Sequence, residues 1–393
     1  MDGIIYLDHA ATTPVHPEVA REMILWQAEY FGNPSSLYAL GQKSRQAMEE
    51  ARKQVARLIG AKPEEVYFTS GGSESDNWAI KGIFLARKEK GRHIITTAIE
   101  HHAVLETCDE IKKMGGEITL LPVDSQGIVN PDDVKKAIRP DTVLISVMHA
   151  NNEIGTIQPI AEIGQLVRKA GIPFLVDAVQ TVGHYPVDVE AMNVDMLSLS
   201  AHKFYGPKGV GAMYLRKGVK IANLIHGGGQ EKKRRAGTQN VPGIVGLGKA
   251  AELAMADLDK EMQRETRLRD RLRELIENNI PDVILNGHPT QRVPNNLNMS
   301  FAGVEGEAMV LHLDHEGICA STGSACTTGS LEPSHVLMAL GLKHEQAHGS
   351  LRFTFGRRNI MAHVDYVAAV MAKIVKTLRD ISPTYVPGKM TVE

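Results

Sequence analysis

A lysine and a carboxylate stand at the ends of two apolar runs, an arrangement that could support covalent amine chemistry. Asp177 ends the run FLVD, and Lys203 follows the run VDMLSLS within SAHKFYGPKGVG. Desolvation beside a buried strand lowers the pKa of a lysine and leaves its amine available for a Schiff base. A buried carboxylate needs a cationic or hydrogen-bonding partner. The ordinary alternatives are a solvated surface lysine and a helix N-cap, but the position of both residues at strand ends favours chemistry.

Three small residues between a predicted strand and a predicted helix have the composition of an anion-binding turn. Gly71, Gly72 and Ser73 follow the run EVYFT and precede the helical segment ESDNWAIKGIFLARKEK. Glycines allow the backbone to approach a ligand closely, and the free amides of a helix start favour an anion such as phosphate. A glycine pair before a helix is more often only a turn, so this signal alone is weak.

One of the three cysteines lies in a segment without a hydrophobic pattern. Cys326 is surrounded by small residues in STGSACTTGS, whereas Cys108 falls in a predicted helix and Cys319 in the apolar run GICA. Most free cysteines are small buried apolar residues, which suits Cys108 and Cys319. A thiol on an exposed loop is where nucleophilic or redox chemistry is expected, so Cys326 is the candidate nucleophile.

Two other readings of the polar residues are weaker. His101 and His102 are adjacent, and His312 and His315 lack a Cys or His pair at zinc-like spacing, so we expect no metal site. The segment SAHK matches one β-lactamase motif and SDN a second. Their order is reversed and no KTG occurs, so the sequence excludes that class.

The elements that must position these residues alternate between strand-length apolar runs and helical patterns, which is typical of an α/β protein with a mainly parallel sheet. In open sheets of this kind, ligands bind at the carboxyl ends of the strands. The predicted strands are 65–69, 93–97, 118–123, 142–148, 173–176, 194–199 and 209–215. The predicted helices include 42–59, 74–90, 102–114, 160–170, 249–278 and 364–378.

Length and composition limit the class of protein. The 393 residues suggest a large domain and a smaller one, and a change of domain is predicted near residue 258. A net charge of −2 and 5% aromatic residues argue against nucleic acid as an obligatory partner. The absence of a leader-like start or a long apolar run predicts a protein of the cytoplasm without a membrane partner, and three cysteines suit a reducing compartment.

Ten ordered motifs make the chain resemble the NifS/IscS-type cysteine desulfurases, pyridoxal-phosphate enzymes of the class V aminotransferase group. The resemblance runs from the N-terminus to about residue 357. The motifs are LDHAATTP, FGNPSS, FTSGGSESDN, EHHAVLETC, MHANNEIGTIQPI, DAVQTVG, SAHKFYGPKGVG, RRAGTQN, STGSACTTGSLEPSHV and HGSLRF. The resemblance implies a fold-type I pyridoxal-phosphate enzyme. It would have a large cofactor-binding domain over 15–257 and a small α+β domain formed by 1–14 and 258–393.

The resemblance also implies a role for each matching residue. Lys203 would carry the cofactor, Asp177 would pair with its pyridine nitrogen, and His101 would stack on the ring and move a proton. Arg352 would bind the substrate carboxylate, and Cys326 would be the nucleophile. The remaining implied contacts are Gly72, Ser73, Ser200 and His202 to the phosphate, Thr238 to the phosphate of the neighbouring subunit, and Asn152 and Gln180 to the cofactor's phenolic oxygen and the substrate.

The implied reaction converts L-cysteine to L-alanine and leaves the sulfur as a persulfide on Cys326. The expected partners are a second copy of the chain, in a homodimer with shared active sites, and a sulfur-acceptor protein such as an iron–sulfur scaffold. The chain departs from the family pattern at His9, at Gln239 and at 357–361, and none of these changes removes a catalytic group.

Three alternatives stay open beside this reading. A selenocysteine lyase or an ordinary aminotransferase would share Lys203 and Asp177, although an aminotransferase has no use for Cys326. A non-catalytic sulfur-relay or scaffold protein is the alternative from a different class, and retention of every matched cofactor residue argues against it.

Overall fold

A computed structural model of the chain describes residues 3–323, 332–383 and 385–388. Its strands are β1 Ile5–Tyr6, β2 Val66–Thr69, β3 His93–Thr97, β4 Glu117–Leu121, β5 Thr142–Ser146, β6 Phe174–Asp177, β7 Met196–Ser200, β8 Gly211–Leu215, β9 Val283–Leu285, β10 Asn296–Phe301, β11 Ile318–Cys319 and β12 Ser350–Thr354. Its helices are α1 Pro17–Ala28, α2 Ala39–Leu58, α3 Gly72–Arg87, α4 His102–Lys113, α5 Pro131–Ala137, α6 Ile160–Ala170, α7 Gln230–Lys233, α8 Val241–Asn279, α9 Gly306–His315, α10 His335–Ala339, α11 His344–His348 and α12 Met361–Ile381.

Seven strands form a mainly parallel sheet in the order β2-β8-β7-β6-β5-β3-β4. Strand β8 runs antiparallel to both of its neighbours, β2 and β7, and the remaining pairs are parallel. Helices cover both faces: α2, α6 and the first part of α8 pack on one hydrophobic cluster, and α3 and α4 pack on another. The central strands are therefore buried on both sides, which is why they read as continuous apolar runs. The α/β class with a mainly parallel sheet is confirmed.

A further hydrophobic cluster, separate from the two on the seven-stranded sheet, forms the core of a smaller part of the molecule. This part contains a three-stranded antiparallel sheet in the order β12-β10-β9 and a two-stranded parallel sheet of β1 and β11. The chain start contributes Ile5 and Leu7 to this cluster, and α8 contributes Leu268 and Leu272. This smaller α+β part agrees with the predicted layout. The predicted change near residue 258 falls inside α8, and the division into 1–14, 15–257 and 258–393 stays a prediction.

Helix α8 begins earlier than the sequence pattern predicts. It starts at Val241 rather than near 249, and the Asn240 side chain caps it by accepting from the Gly243 amide at 3.1 Å. Its glycine-rich first turns have poor helix propensity, but they are buried. A side chain at Gly248 would place its Cβ 2.6 Å from the Ala51 backbone of α2, so close helix packing accounts for this glycine.

Most other predicted elements agree with the structure to within a few residues, and β3 and α6 have the predicted ends. The sequence analysis does not predict α1, α5 or α9. Among the helices of the described residues, none is long and apolar enough to cross a membrane.

Candidate active site

A cavity of about 350 Å³ opens where strands β6 and β7 end, and residues of the smaller part complete its wall. It brings together the residues that the sequence placed at strand and helix ends. Of the predicted site residues, those that line it are Gly72, Ser73, His101, Asn152, Asp177, Gln180, Ser200, His202, Lys203 and Arg352. Residues from distant parts of the chain therefore share one ligand-sized space.

One end of the cavity offers hydrogen-bond donors for an anion. Gly72 and Ser73 start α3, so their amides face outward from the helix N-terminus. Gly71 has φ +155°, and a side chain at Gly72 would place its Cβ 2.7 Å from Val179, so both positions need glycine. The same end is lined by Ser200 and His202, which also line an adjoining pocket together with Lys208.

The Lys203 amine lies in the middle of this site. Lys203 ends a 3₁₀ turn, Ala201–Lys203, that follows β7 directly. Its Nζ donates to the carbonyl oxygens of Ala10 and Ala11, the latter at 3.0 Å. These neutral acceptors hold the amine in place from the N-terminal segment.

The neighbouring His202 is uncharged at neutral pH. Burial, together with Lys203 and Lys208, lowers the pKa of His202 to about 4. Its Nδ1 lies 3.1 Å from the Thr12 hydroxyl. A neutral imidazole here can offer a hydrogen bond to an anion but adds no positive charge.

The opposite end of the cavity is acidic. Asp177 ends β6 and is 5% exposed, and its Oδ1 accepts from the Val179 amide at 2.9 Å. Burial raises the pKa of Asp177, while His101 and Lys203 act in the opposite direction. The carboxyl is positioned by the sheet and held by a backbone amide, as the strand-end position predicts.

Two further buried carboxyls at this end were not predicted. Asp76 lines the cavity from α3, and Glu100 lies just after β3. Asp76 falls on the same buried side of α3 as Ala79 and Ile80, a helical spacing that could have drawn attention to it. Glu100 is held by the Thr97 hydroxyl at 2.9 Å and the Met148 amide at 2.8 Å.

His101 is the N-cap of α4. Its Nδ1 accepts from the Ala103 amide at 3.1 Å, so Nε2 carries the proton of the neutral ring. Burial lowers the pKa of His101, partly against the effect of Asp177. The structure thus favours a neutral imidazole at His101.

Arg352 enters the cavity from β12 and is 2% exposed. Its Nη2 donates to Asp8 Oδ1 at 2.8 Å, and its Nη1 donates to the Asn152 carbonyl at 2.9 Å. Its Nε is buried and has no hydrogen-bond partner in residues 3–323, 332–383 and 385–388. Asp8 was not predicted, and nothing in the local sequence indicates that it pairs with an arginine far along the chain.

One predicted residue does not line the cavity, and another is not among the described residues. Thr238 is exposed in the segment between α7 and α8 and is absent from the lining of this cavity. Cys326 lies outside the described residues. Gln180, by contrast, reaches the cavity and donates to the Ala10 carbonyl at 3.1 Å.

The other two cysteines, and His9, where the chain departs from the family pattern, lie in surroundings that indicate structural roles. Burial raises the pKa of Cys108 to about 12, and it also raises the pKa of Cys319. His9 is buried beside the Thr354 carbonyl, and its Nδ1 lies 2.9 Å from that oxygen. In the part of the chain that the structure describes, no group of three or more His, Cys, Asp or Glu side chains could hold a metal ion.

Comparisons with known proteins agree with this geometry. The family model described as Aminotransferase class-V matches residues 5–367. The chain is 57% identical over 379 residues to the cysteine desulfurase IscS of Dictyoglomus turgidum, covering 96% of each chain. It is also 57% identical to the cysteine desulfurase IscS of Methanosarcina thermophila, covering 96% of this chain and 94% of that protein.

Solved structures show the same fold. A NifS-like protein, 40% identical, superposes with a TM-score of 0.89 over 96% of this chain and 100% of its own. A structure of SspA in complex with cysteine, 39% identical, has a TM-score of 0.81 and covers 91% of this chain and 100% of its own.

Proposed function

The chain belongs to the class V aminotransferase family, and the relatives named above are cysteine desulfurases. We propose that it uses pyridoxal phosphate to convert L-cysteine to L-alanine. We further propose that it passes the sulfur to an acceptor protein. The observation that carries this proposal is the convergence of Lys203, Asp177 and Arg352 on one cavity. The three come from separate elements, so a solvated lysine and an isolated N-cap do not explain them.

The donors and acceptors of the cavity fit pyridoxal phosphate. The start of α3 with Ser200 and His202 would hold the phosphate, and Asp177 at the other end would hold the protonated pyridine nitrogen. Lys203 provides the amine between them, and Gln180 and Asn152 would contact the phenolic oxygen and the substrate. The bound cofactor supplies an electron sink for the carbon next to the substrate amine.

The chain's own groups bind the substrate and move its protons. The unpartnered Nε of Arg352 is available to the substrate carboxylate, which would share the guanidinium with Asp8. With pyridoxal phosphate bound, the Lys203 amine could take a proton from the substrate and return it. His101 would lie beside the ring and is a neutral acid–base group at neutral pH.

Cys326 is the proposed nucleophile for sulfur. Its thiolate would attack the substrate sulfur, so that the carbon–sulfur bond of cysteine breaks and a sulfur–sulfur bond forms on the enzyme. The substrate carbon takes up a proton and leaves as alanine. A thiol of ordinary pKa ~8.5 is only a few per cent ionised at neutral pH, so a neighbouring base assists this step.

The sulfur then leaves the persulfide for an acceptor that builds iron–sulfur clusters or another sulfur-containing cofactor. We propose that this happens in the cytoplasm, where a reducing environment keeps Cys326 a thiol. The domain division at 1–14, 15–257 and 258–393 belongs to the same proposal, because it puts Cys326 and Arg352 on the smaller domain.

A homodimer with shared active sites is also proposed. Just before Thr238, Glu231 is buried and accepts two hydrogen bonds from Arg52, at 2.8 and 3.0 Å. This ion pair fixes a segment that presents Thr238 outward, where it can reach the phosphate of a second subunit.

Mixed dimers test this sharing. Lys203→Ala protomers combined with Thr238→Ala protomers should give one site with both changes and one with neither, so about half of the wild-type activity is expected. Complete inactivity of purified mixed dimers would contradict donation between subunits.

The reaction itself is tested by incubating the purified protein with L-cysteine and assaying alanine and sulfide together. Equal release of both in the presence of a reductant is expected. Transfer of the cysteine amino group to an added keto acid, without release of sulfide, would indicate an aminotransferase. A strong preference for selenocysteine would indicate a lyase of that substrate. A protein that binds no cofactor would favour the non-catalytic scaffold.

A further inference from the structure

Three carboxyl groups are buried side by side at the acidic end of the cavity. Asp177, Asp76 and Glu100 are exposed by 5%, 1% and 0%. Each lies close enough to act electrostatically on its neighbours. The proposed function pairs Asp177 with the pyridine nitrogen of the cofactor, but it assigns no role to Asp76 or Glu100. Three negative charges in so small a buried volume would be very costly.

Asp76 has the surroundings of a neutral acid. Its Oδ1 is buried and has no hydrogen-bond partner among the described residues. The charged groups that act on it are Asp177 and Glu100, both acidic. Burial and these neighbours raise the pKa of Asp76 well above its ordinary value.

Asp177 is better placed to carry the charge. The Val179 amide donates to it at 2.9 Å, and the positive forms of His101 and Lys203 would stabilise its anion. When two neighbouring acids share one charge, the charge settles where donors and cations are. That position is Asp177.

Ser198 joins the two acids. It lies on β7 directly opposite Asp177 in the register with β6, and its side chain is close to the carboxyls of both Asp177 and Asp76. Within the part of the chain that the structure describes, its buried hydroxyl has no hydrogen bond of ordinary geometry. A hydroxyl can accept from one acid and donate to the other at once.

We propose that Asp76 keeps its proton in the working enzyme and acts as a positioning residue, donating to Ser198, whose hydroxyl in turn donates to Asp177. This relay makes Asp177 the single anion that faces the ring nitrogen. An ionised Asp76 would repel that charge, and Asp177 would then take up a proton and lose its attraction for a protonated ring. The inference rests on the proposed function, since it assigns a role at the same site.

Infrared spectroscopy of the full-length protein at neutral pH tests the protonation directly. A protonated carboxyl absorbs above the amide band and shifts in heavy water. We expect two such components in the wild type, one from Asp76 that is lost in Asp76→Asn and one from Glu100 that is lost in Glu100→Gln, so that each variant retains the component of the other acid. A wild-type spectrum without any protonated carboxyl, or an unchanged spectrum in Asp76→Asn, would overturn the proposal.

Ser198→Ala is the second variant, and it applies even if Asp76→Asn does not fold. It should shift the Asp76 component to higher frequency, because the acid loses its acceptor. An unmoved component would show that Ser198 does not link the two acids.

Cofactor binding separates the role of Asp76 from a merely structural one. Asp76→Asn keeps a neutral donor and should retain cofactor affinity within about twofold, while Asp76→Ala should weaken it about tenfold, the value of one hydrogen bond to a charged group. Equal weakening in both would overturn the relay. A wild type that neither binds pyridoxal phosphate nor releases alanine would instead defeat the proposed function, and the infrared result is read independently of it.

Discussion

Two sides of the cavity hold their charges in opposite ways. One is formed by the seven-stranded sheet and its helices and is called the sheet end below, and the other is formed by the smaller part. At the end formed by the seven-stranded sheet, Asp177 lies beside other acids, and burial raises its pKa against the opposing effect of His101 and Lys203. At the end formed by the smaller part, Arg352 already has an anionic partner in Asp8 and a carbonyl partner in Asn152. Arg352 forms an ion pair with Asp8, whereas no ion pair of Asp177 is found among the described residues.

This difference matches what each end has to do. A permanently bound cofactor can supply the missing positive charge beside Asp177 once and for all, so no protein group needs to stand in for it. A substrate carboxylate must arrive and leave in every cycle, and Arg352 would be a costly buried charge in the intervals without Asp8. On the proposed function, the sheet end would therefore hold its ligand tightly, and the smaller part would exchange its ligand.

Lys203→Ala is the largest test of the sheet end. Since Lys203 is the amine placed in this cavity among the described residues, its loss should lower kcat by on the order of 10⁴-fold. The visible absorbance of the bound cofactor should also change or disappear. Near-normal turnover with a folded dimer would refute the assignment of the whole sheet end.

Cys326→Ala tests the contribution of the smaller part to chemistry. Cofactor binding depends on other residues, so the variant should remain yellow and bind L-cysteine, while alanine and sulfide formation drop by about 10³-fold. Mass spectrometry should find no persulfide on the protein. Wild-type desulfuration in this variant would show that another group attacks the sulfur.

The other two cysteines provide the matched control. Burial raises the pKa of both Cys108 and Cys319, which keeps them as thiols at neutral pH. Cys108→Ala and Cys319→Ala should therefore keep most of the activity, and any loss should follow the melting temperature.

Arg352→Lys tests substrate exchange with a smaller expected effect. Lysine keeps the charge but cannot bind a carboxylate with two parallel hydrogen bonds, so kcat/KM should fall by roughly 10- to 200-fold, or about 1.5–3 kcal/mol, mostly through KM. Arg357→Lys is the control, because Arg357 pairs with Asp257 at 2.7 Å and does not line the cavity. Equal effects of both changes would place Arg352 among structural ion pairs.

The sequence predicts the sheet end better than the smaller part. Asp177 and Lys203 stand at strand ends and Gly72 at a helix start, and local patterns reveal all three positions. The pairing of Asp8 with Arg352 joins residues 344 positions apart, and the register that aligns Ser198 with Asp177 arises only when β6 and β7 pair. Local periodicity contains neither. Likewise, the glycines at the start of α8 read as helix breakers until their close packing on α2 is known.

Glu100→Gln gives the smallest effect and addresses the acidity of the sheet end without touching the proposed ligands. Burial raises the pKa of Glu100 from 4.5 to about 8. Between these values the native protein keeps a proton that the unfolded chain has released, so the free energy of unfolding falls as pH rises, by about 1.4 kcal/mol per pH unit from this group. Glutamine cannot titrate, and the variant should lack this part of the slope when urea midpoints at pH 6 and pH 7 are compared at one protein concentration.

Glu110→Gln, at an exposed residue of α4, is the control and should keep the wild-type slope. Equal slopes of the free energy of unfolding against pH for the wild type and Glu100→Gln would mean that Glu100 is ionised in the folded protein. The sheet end would then carry more than one negative charge, and its contrast with the paired Arg352 would fail.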